Sequence, residues 1–372
     1  MVQAMNPGLS MPDATQTQEP APKPEKNEGF RDYFSRIHFR TGYILIGVLL
    51  SGAFLWLAFR DVSLPQLSTI LNQVDWRFIL LALTMSVAGT LARSLRWRLL
   101  YHPHQEHTSF LYMSGLLFFS QMLNLLIPAR IGELARMYFM QPIKPARTLG
   151  AIAVEKLLDL LTLLAFLLVL PLVITLPDWF EGSRQSFLML TISLFIVSLL
   201  IFALRKKLAL WLGKLLVILP QNWQTPVKNA LNQALAGLDV FNAPATGLKL
   251  QAWSFLIWGL GALLNYALFF AFSLTLPFSA ALFLLLTLQV GITLPSIPGK
   301  LGVFQYITIL ALSAFAVGKD LALSYSLVLY LVAFGPHILF GAIFGIRELM
   351  LFLKRKAIQK QNLSEEETIE LN

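Results

Sequence analysis

The chain has 372 residues, 56% of them hydrophobic and only 13% charged. A water-soluble domain carries about 25% charged residues, so a chain this apolar cannot cover itself with polar surface, which excludes an ordinary cytosolic enzyme. Twenty-nine Lys and Arg against 20 Asp and Glu leave a formal charge of +9. On a soluble protein that surplus points to nucleic acid, but on a membrane protein it collects in cytoplasmic loops facing anionic lipid, and no nucleic-acid partner is expected. The lack of cysteine removes disulfides, thiolate metal sites and cysteine nucleophiles.

Residues 1–40 read as a disordered cytoplasmic tail, because Pro, Gln, Glu and Lys dominate residues 11–27 and offer nothing to a core. A cleavable signal would place its apolar run nearer Met1. Residues 41–59, flanked by Arg31, Arg36 and Arg40, therefore read as an uncleaved first span. Apolar stretches follow at 78–92, 109–127, 149–176, 186–204, 250–276, 279–294, 303–317 and 321–346. About 20 helical residues are needed to cross a hydrocarbon layer, and 279–294 and 303–317 fall short of it. Between Lys206 and Gly247 the pattern changes: Leu208, Trp211, Leu212, Leu215, Leu231, Leu235 and Leu238 recur among Lys, Asn and Gln. Two readings are open there, an amphipathic helical pair on the cytoplasmic membrane surface and a cytosolic linker. Residues 353–372 are a polar cytoplasmic tail, which leaves 41–352 as the transmembrane domain.

Charge selects a topology. If all nine stretches cross, most Lys and Arg fall outside, against the positive-inside rule. If residues 109–140 dip in from the cytoplasm and return, and 279–317 do the same from outside, only Arg60, Arg77, Arg184 and Lys319 remain outside. The expected fold is thus an all-α polytopic membrane protein with about six full spans and two oppositely oriented re-entrant helical hairpins. Both termini are cytoplasmic.

The bends of the two hairpins repeat. Residues 127–132 read Ile, Pro, Ala, Arg, Ile, Gly, and residues 297–302 read Ile, Pro, Gly, Lys, Leu, Gly, at a constant offset of 170 positions. Pro128, Pro295, Pro298 and Gly299 are helix breaks, since proline removes a donor and glycine admits backbone shapes closed to other residues. Flanking spans extend the repeat to inverted units at about 78–176 and 250–347. Such units with broken helices are a recurring transporter design, in which substrate binds where the broken ends converge.

Non-helical backbone at membrane depth is tolerated only where protein buries it or water reaches it, so the bends imply a cavity. The return helices starting near Gly132 and Gly302 aim the positive end of a dipole at it, beside Arg130 and Lys300. The substrate reading is an anion site for phosphate; the alternative is that both cations snorkel to headgroups or pair locally. Glu133 lies three residues from both Arg130 and Arg136, within reach of a helical ion pair. Glu155 and Asp159 share one face of a Leu-rich span, beside Lys156. They are open to three roles: counter-ions for Arg130, proton exchange during transport, or plain structural pairing. Gln121, Asn124, Gln289, Ser296 and Gln305 either satisfy freed backbone or contact a headgroup. His337 reads as a hydrogen-bonded packing residue. Arg93, Arg96, Trp97 and Arg98 read as an interfacial anchor that also gathers anionic lipid, and Trp76, Trp179 and Trp253 fit interface belts.

There is no zincin histidine pair, nucleotide-binding glycine loop or nucleophile elbow. No catalytic residue, metal or cofactor is expected. The partners expected are membrane phospholipids with an anionic headgroup, and a lipid-modifying enzyme if the chain is a scaffold.

Arg93 with Arg96 and Trp97, the stretch NLLIPARIGE at 124–133, the span carrying Glu155 and Asp159, and PGKLG at 298–302 together resemble the flippase-like transmembrane domain of lysylphosphatidylglycerol synthases. The resemblance covers roughly residues 43–352, and the same pattern occurs in inner-membrane proteins made of that domain alone. It implies a multi-pass bacterial inner-membrane protein that moves, or helps move, a lipid between leaflets. The soluble aminoacyl-transferase domain is expected to be missing, since about 20 polar residues follow Phe352, so aminoacylation does not carry over. The family's Glu-Arg pair stands here as Glu155 and Lys156, which keeps charge without the guanidinium fork. The leading expectation is a transporter of a phosphate-bearing lipid headgroup, with Arg130 and Lys300 on the phosphate and Glu133, Glu155 and Asp159 balancing charge. Alternatives are a polyisoprenyl-phosphate or small organic-anion transporter, a membrane scaffold without transport, and, weakest, a multispan lipid-using transferase.

Overall fold

The structure is a computed structural model, all-helical among its described residues, which are 51–60, 62–101, 109–127, 131–140, 145–173, 184–204, 244–292 and 298–370, with Lys207 and Lys228. The expectations for residues 1–40, for Pro128 and Arg130, for Pro295, and for nearly all of 206–247 lie outside them. In chain order the helices are α1 (Leu64–Asn72), α2 (Trp76–Leu100), α3 (Phe110–Leu126), α4 (Ile131–Phe139), α5 (Pro145–Val173), α6 (Arg184–Ala203), α7 (Pro244–Ala271), α8 (Phe278–Gly291), α9 (Val303–Ser313) and α10 (Lys319–Glu370). Residues 51–59 are also helical, and Pro298–Lys300 form one 3-10 turn.

Local chemistry sets the boundaries. Asp75 caps α2 by accepting the Arg77 amide at 2.9 Å. Proline opens α5 and α7, at a position whose amide has no helical partner in any case. Four helices are long and apolar enough to cross a membrane: Trp76–Leu100, Pro145–Val173, Ala245–Ala271 and Lys319–Lys354. Helix α2 runs eight residues beyond the apolar stretch ending at Ala92, where Arg96 and Trp97 are buried in protein. Helix α6 exposes Met189, Leu190, Ile192, Leu194, Val197 and Leu200 around its circumference. That surface is tolerable only against lipid. The protein is membrane-integral and polytopic.

Helices α3 and α4 form an antiparallel pair. Tyr112 at the start of α3 donates to the Phe139 carbonyl at the end of α4, at 2.9 Å, while Asn124 near the end of α3 meets Gly132 at the start of α4. Helices α8 and α9 pair likewise: Phe283 stacks edge-on with Phe315, 5.6 Å between centroids, and Gly291 packs under Ile307.

The two pairs sit in matching surroundings. Helix α2 packs on α3, α3 on α4, and α4 on α5; α7 packs on α8, α8 on α9, and α9 on α10. Across the halves, α3 meets α10 as α8 meets α5, and α2 meets α10 as α7 meets α5. Helix α2 also packs on α7, its equivalent in the other half. It is antiparallel: the Asp75 amide donates to the Ala271 carbonyl at 3.0 Å, and at the far end Arg96 donates to Ser254 at 2.7 Å. Small buried residues on both, including Ala82, Ala267 and Ala271, let the backbones approach. Helix α3 closes on α10 by the same means, with Gly115 under Phe344 and Gly345 under Phe119.

Candidate functional site

Helix α2 places Arg93, Arg96 and Trp97 on one face, by the three- and four-residue spacing of a helix. Helix α5 does so with Glu155 and Asp159, and α7 with Ser254 and Trp258. Arg136 comes from α4. These side chains close into one network. Arg96 Nη1 donates to Asp159 Oδ1 at 2.6 Å and to Ser254 Oγ at 2.7 Å, and Nη2 reaches Glu155 Oε1 at 3.4 Å. Arg136 Nη1 donates to Glu155 Oε2 at 2.8 Å, and its Nε donates to Ser120 Oγ on α3 at 2.9 Å. Two indoles complete it: Trp97 Nε1 donates to Glu155 Oε2 and Trp258 Nε1 to Asp159 Oδ1, each at 3.0 Å. The Arg136 guanidinium also lies over the Trp97 ring, 4.8 Å from its centroid.

The charges are sealed. Arg96 is 0% exposed, Arg136 1% and Glu155 3%. An ion pair so placed survives only with near-complete hydrogen bonding, because desolvation removes most of what Coulomb attraction returns. Two carboxylates face two guanidiniums here: Glu155 Oε1 and Oε2 and Asp159 Oδ1 each have a donor, and of the Arg96 nitrogens Nε alone is buried without a partner. The network ties α2, α3, α4, α5 and α7 together, bracing the first helix pair against the interface between the halves.

This corrects the sequence-based reading of Arg96 and Trp97 as an interfacial anchor. Buried carboxylates on α5 within reach offer stronger partners than water or headgroups. Glu155 and Asp159 take Arg96 and Arg136 as counter-ions; Arg130 lies outside the described residues. Glu133 does not pair along its own helix with Arg136, and instead meets Lys156 Nζ at 3.4 Å on a partly exposed surface. The Trp258 and Ser254 contributions were not expected from sequence. The spacing of Ser254 and Trp258 on an apolar helix matches that of Glu155 and Asp159, which is the signal that pairs them.

At the bends, the glycine amides are already occupied. Gly132 N–H donates to Asn124 Oδ1 at 2.9 Å, and Gly302 N–H donates to Gln305 Oε1 at 2.8 Å. Asn124 and Gln305 therefore satisfy freed backbone. A Cβ on Gly132 would overlap the Ser120 carbonyl, and Gly299 and Gly302 have φ of +86° and +82°, so these positions need glycine. Lys300, at φ +55°, places its ammonium 5.9 Å from the Phe334 ring, and Tyr330 donates to the Gly299 carbonyl at 2.7 Å. The Pro298–Lys300 turn packs against α3 of the other pair. His337 bonds Thr90 Oγ1 through Nε2 at 3.0 Å and the Ala333 carbonyl through Nδ1 at 2.8 Å. Among the described residues no three His, Cys, Asp or Glu gather as a metal site.

A polytopic helical membrane protein with paired short helices and a buried ion cluster between its halves is thus defined. The chain belongs to the family of the lysylphosphatidylglycerol synthase transmembrane region, whose model matches residues 44–341. It is also similar to the UPF0104 membrane protein PH1989 of Pyrococcus horikoshii, 23% identical over 337 residues that cover 83% of this chain and 97% of the relative. No solved structure matches the chain.

Proposed function

We propose that this protein is a flippase-like lipid transporter of the bacterial inner membrane, passing a phosphate-bearing headgroup between leaflets while the acyl chains stay in the bilayer. One observation carries the reading: the turn of one short-helix pair packs against the first helix of the other. Broken helices that meet in this way are where transporters of inverted-repeat design hold their substrates.

Helix lengths support the hairpins. The arms have 17 and nine residues in α3 and α4, and 14 and 11 in α8 and α9. At 1.5 Å per residue the longest covers about 26 Å and the shortest about 14 Å, against a hydrocarbon layer of about 30 Å. Each antiparallel pair therefore enters and leaves on one side. The antiparallel α2 and α7 set the two pairs in opposite orientation, the first opening from the cytoplasm. Six full spans, at 41–59 and along α2, α5, α6, α7 and the apolar part of α10, keep both termini cytoplasmic.

Arg130 and Lys300 reach the phosphate from the two bends, and Gly132 and Gly302 keep the backbone there narrow. Glu155 and Asp159 neutralise the buried Arg96 and Arg136, and Glu133 neutralises Lys156, which keeps the surroundings of the cavity close to neutral when it is empty. The test is translocation of headgroup-labelled phosphatidylglycerol by purified protein in liposomes. Arg130→Ala and Lys300→Ala are each expected to slow it by at least about tenfold, the loss of one charge-assisted contact. If both variants move every anionic lipid tried at the wild-type rate, the site is wrongly placed.

A further inference from the structure

We propose that Arg93, lying on the Trp258 ring, is an oxyanion-binding residue that takes a phosphate oxygen of the transported headgroup. This rests on the transport reading above, and adds a residue to which the resemblance and the hairpin motifs give no role.

Arg96 and Arg136 are matched by Glu155 and Asp159, with short contacts throughout. Arg93 is a third guanidinium in the same field: Asp159 and Glu155 attract it, and Arg96 and Arg136 repel it. No carboxylate is left for it. Its hydrogen bonding agrees, because Arg93 makes no hydrogen bond or salt bridge among the described residues. A guanidinium has five donors in a planar fork suited to carboxylate and phosphate. Those of Arg93 are neither used nor sealed, since its side chain is half-buried and its nitrogens are absent from the buried, unpartnered atoms that include Arg96 Nε.

Its position is fixed by neighbours. The Arg93 guanidinium lies over the indole of Trp258, 5.6 Å from the centroid, and that indole is anchored by its own bond to Asp159. The platform holds the plane of the fork while leaving its edges open. One helical turn earlier on α2, Thr90 bonds His337 of α10, and one turn before His337, Phe334 lies under the Lys300 ammonium. Arg93 and Lys300 thus flank one stripe of α10, formed by Phe334 and His337. An anion entering along that stripe meets Lys300 at the bend and Arg93 beside the ion cluster, and its charge offsets the repulsion from Arg96 and Arg136.

The experiment measures binding calorimetrically on the full-length, detergent-purified protein. The probe is dioctanoyl phosphatidylglycerol, inorganic phosphate forms a second arm, and uncharged dioctanoylglycerol is the control. Arg93→Gln is expected to weaken the lipid at least tenfold and Arg93→Lys less than Arg93→Gln, while Arg77→Gln, an exposed arginine elsewhere on α2, leaves it unchanged. The melting temperature should hold for Arg93→Gln, since no hydrogen bond is lost. Phosphate alone showing the same dependence on Arg93 supports the site and identifies the phosphate group as what is recognised. Wild-type affinity in Arg93→Gln overturns the proposal. So does a loss of affinity that comes with a fall of more than about 5 °C in melting temperature in both variants, which is a structural role. If wild type binds the lipid through Arg93 but translocates nothing, transport fails and this site stands; if Lys300→Ala stops translocation and Arg93→Gln changes neither binding nor rate, the reverse holds.

Discussion

The two halves share one arrangement of helices and fill it with different chemistry. In the first, α5 carries Glu155 and Asp159 into a network with Arg96, Arg136, Trp97 and Trp258. At the 170-residue offset that relates the bends, the second half has Tyr325 for Glu155, Leu329 for Asp159, Tyr266 for Arg96 and Tyr306 for Arg136. Tyr325 is fully buried, gives its hydroxyl to the Asn265 carbonyl at 3.0 Å, and lies against Phe269 and Phe272. One half is held by ions, the other by rings. A shared backbone plan therefore does not require shared chemistry, and the two halves should respond differently to the removal of one polar atom.

The largest effect is expected in the ionic half. Glu155→Ala leaves Arg96 and Arg136 buried with half their compensation, and stranding a buried ion costs about 3–5 kcal/mol. The variant is expected to leave little monodisperse protein on size exclusion in detergent. Glu155→Ala with Arg136→Met should recover part of that loss, since the surplus charge goes too. A double variant no better than the single one would show that the carboxylate acts alone.

The bends come next, and there the halves should behave alike. Gly302→Ala forces a Cβ into the Ser51 carbonyl at a φ of +82°, and Gly132→Ala forces one into the Ser120 carbonyl. Backbone cannot yield as a side-chain end can, so each is expected to cost about 1–3 kcal/mol. Unfolding in a graded denaturing detergent measures both. If Gly302→Ala is neutral while Gly132→Ala is not, the equivalence of the two bends is lost.

The comparison also explains what the sequence made legible. The matched runs at 127–132 and 297–302 announce both breaks, because proline and glycine act on their own backbone and need no distant partner. Lengths of apolar runs announce α5, α7 and α10 for the same reason. The ion cluster was legible only by halves. Glu155 and Asp159 on a leucine-rich span must face something polar, and that much follows from spacing. Which cations they meet does not. Arg96 and Trp97, at the end of a span, have the same local sequence whether they face headgroups or protein, and the decision is made by α5, some 60 residues on. Arg136 had a nearby acid in Glu133 at helical spacing, yet it pairs with Glu155, because a guanidinium buried by packing must be met by a carboxylate buried beside it, and Glu133 lies on the half-wet surface where it meets Lys156.

A smaller effect is expected where an indole donor is removed and the ring kept. Trp97→Phe deletes the hydrogen bond to Glu155 Oε2, while Arg136 keeps an aromatic face to lie on. Bonds to charged groups are worth about 1.5–3 kcal/mol, and Arg136 still serves the same oxygen, so the lower end is expected. Denaturing-detergent unfolding again gives the number, and a loss as large as that of Glu155→Ala would mean that the indole, not the arginines, holds the carboxylate.

The smallest effect belongs to the aromatic half. Tyr325→Phe removes the hydroxyl that Asn265 accepts but keeps the ring against Phe269 and Phe272, where shape does the holding. Hydrogen bonds between membrane helices average about 0.6 kcal/mol, because the unfolded chain in the bilayer also finds partners. The variant should therefore unfold within about 1 kcal/mol of wild type by the same titration, several-fold below Glu155→Ala at the equivalent position. Equal losses at Tyr325 and Glu155 would mean that position within the repeated framework, rather than the charge placed there, sets the cost, and the contrast between an ionic and an aromatic half would have no energetic content.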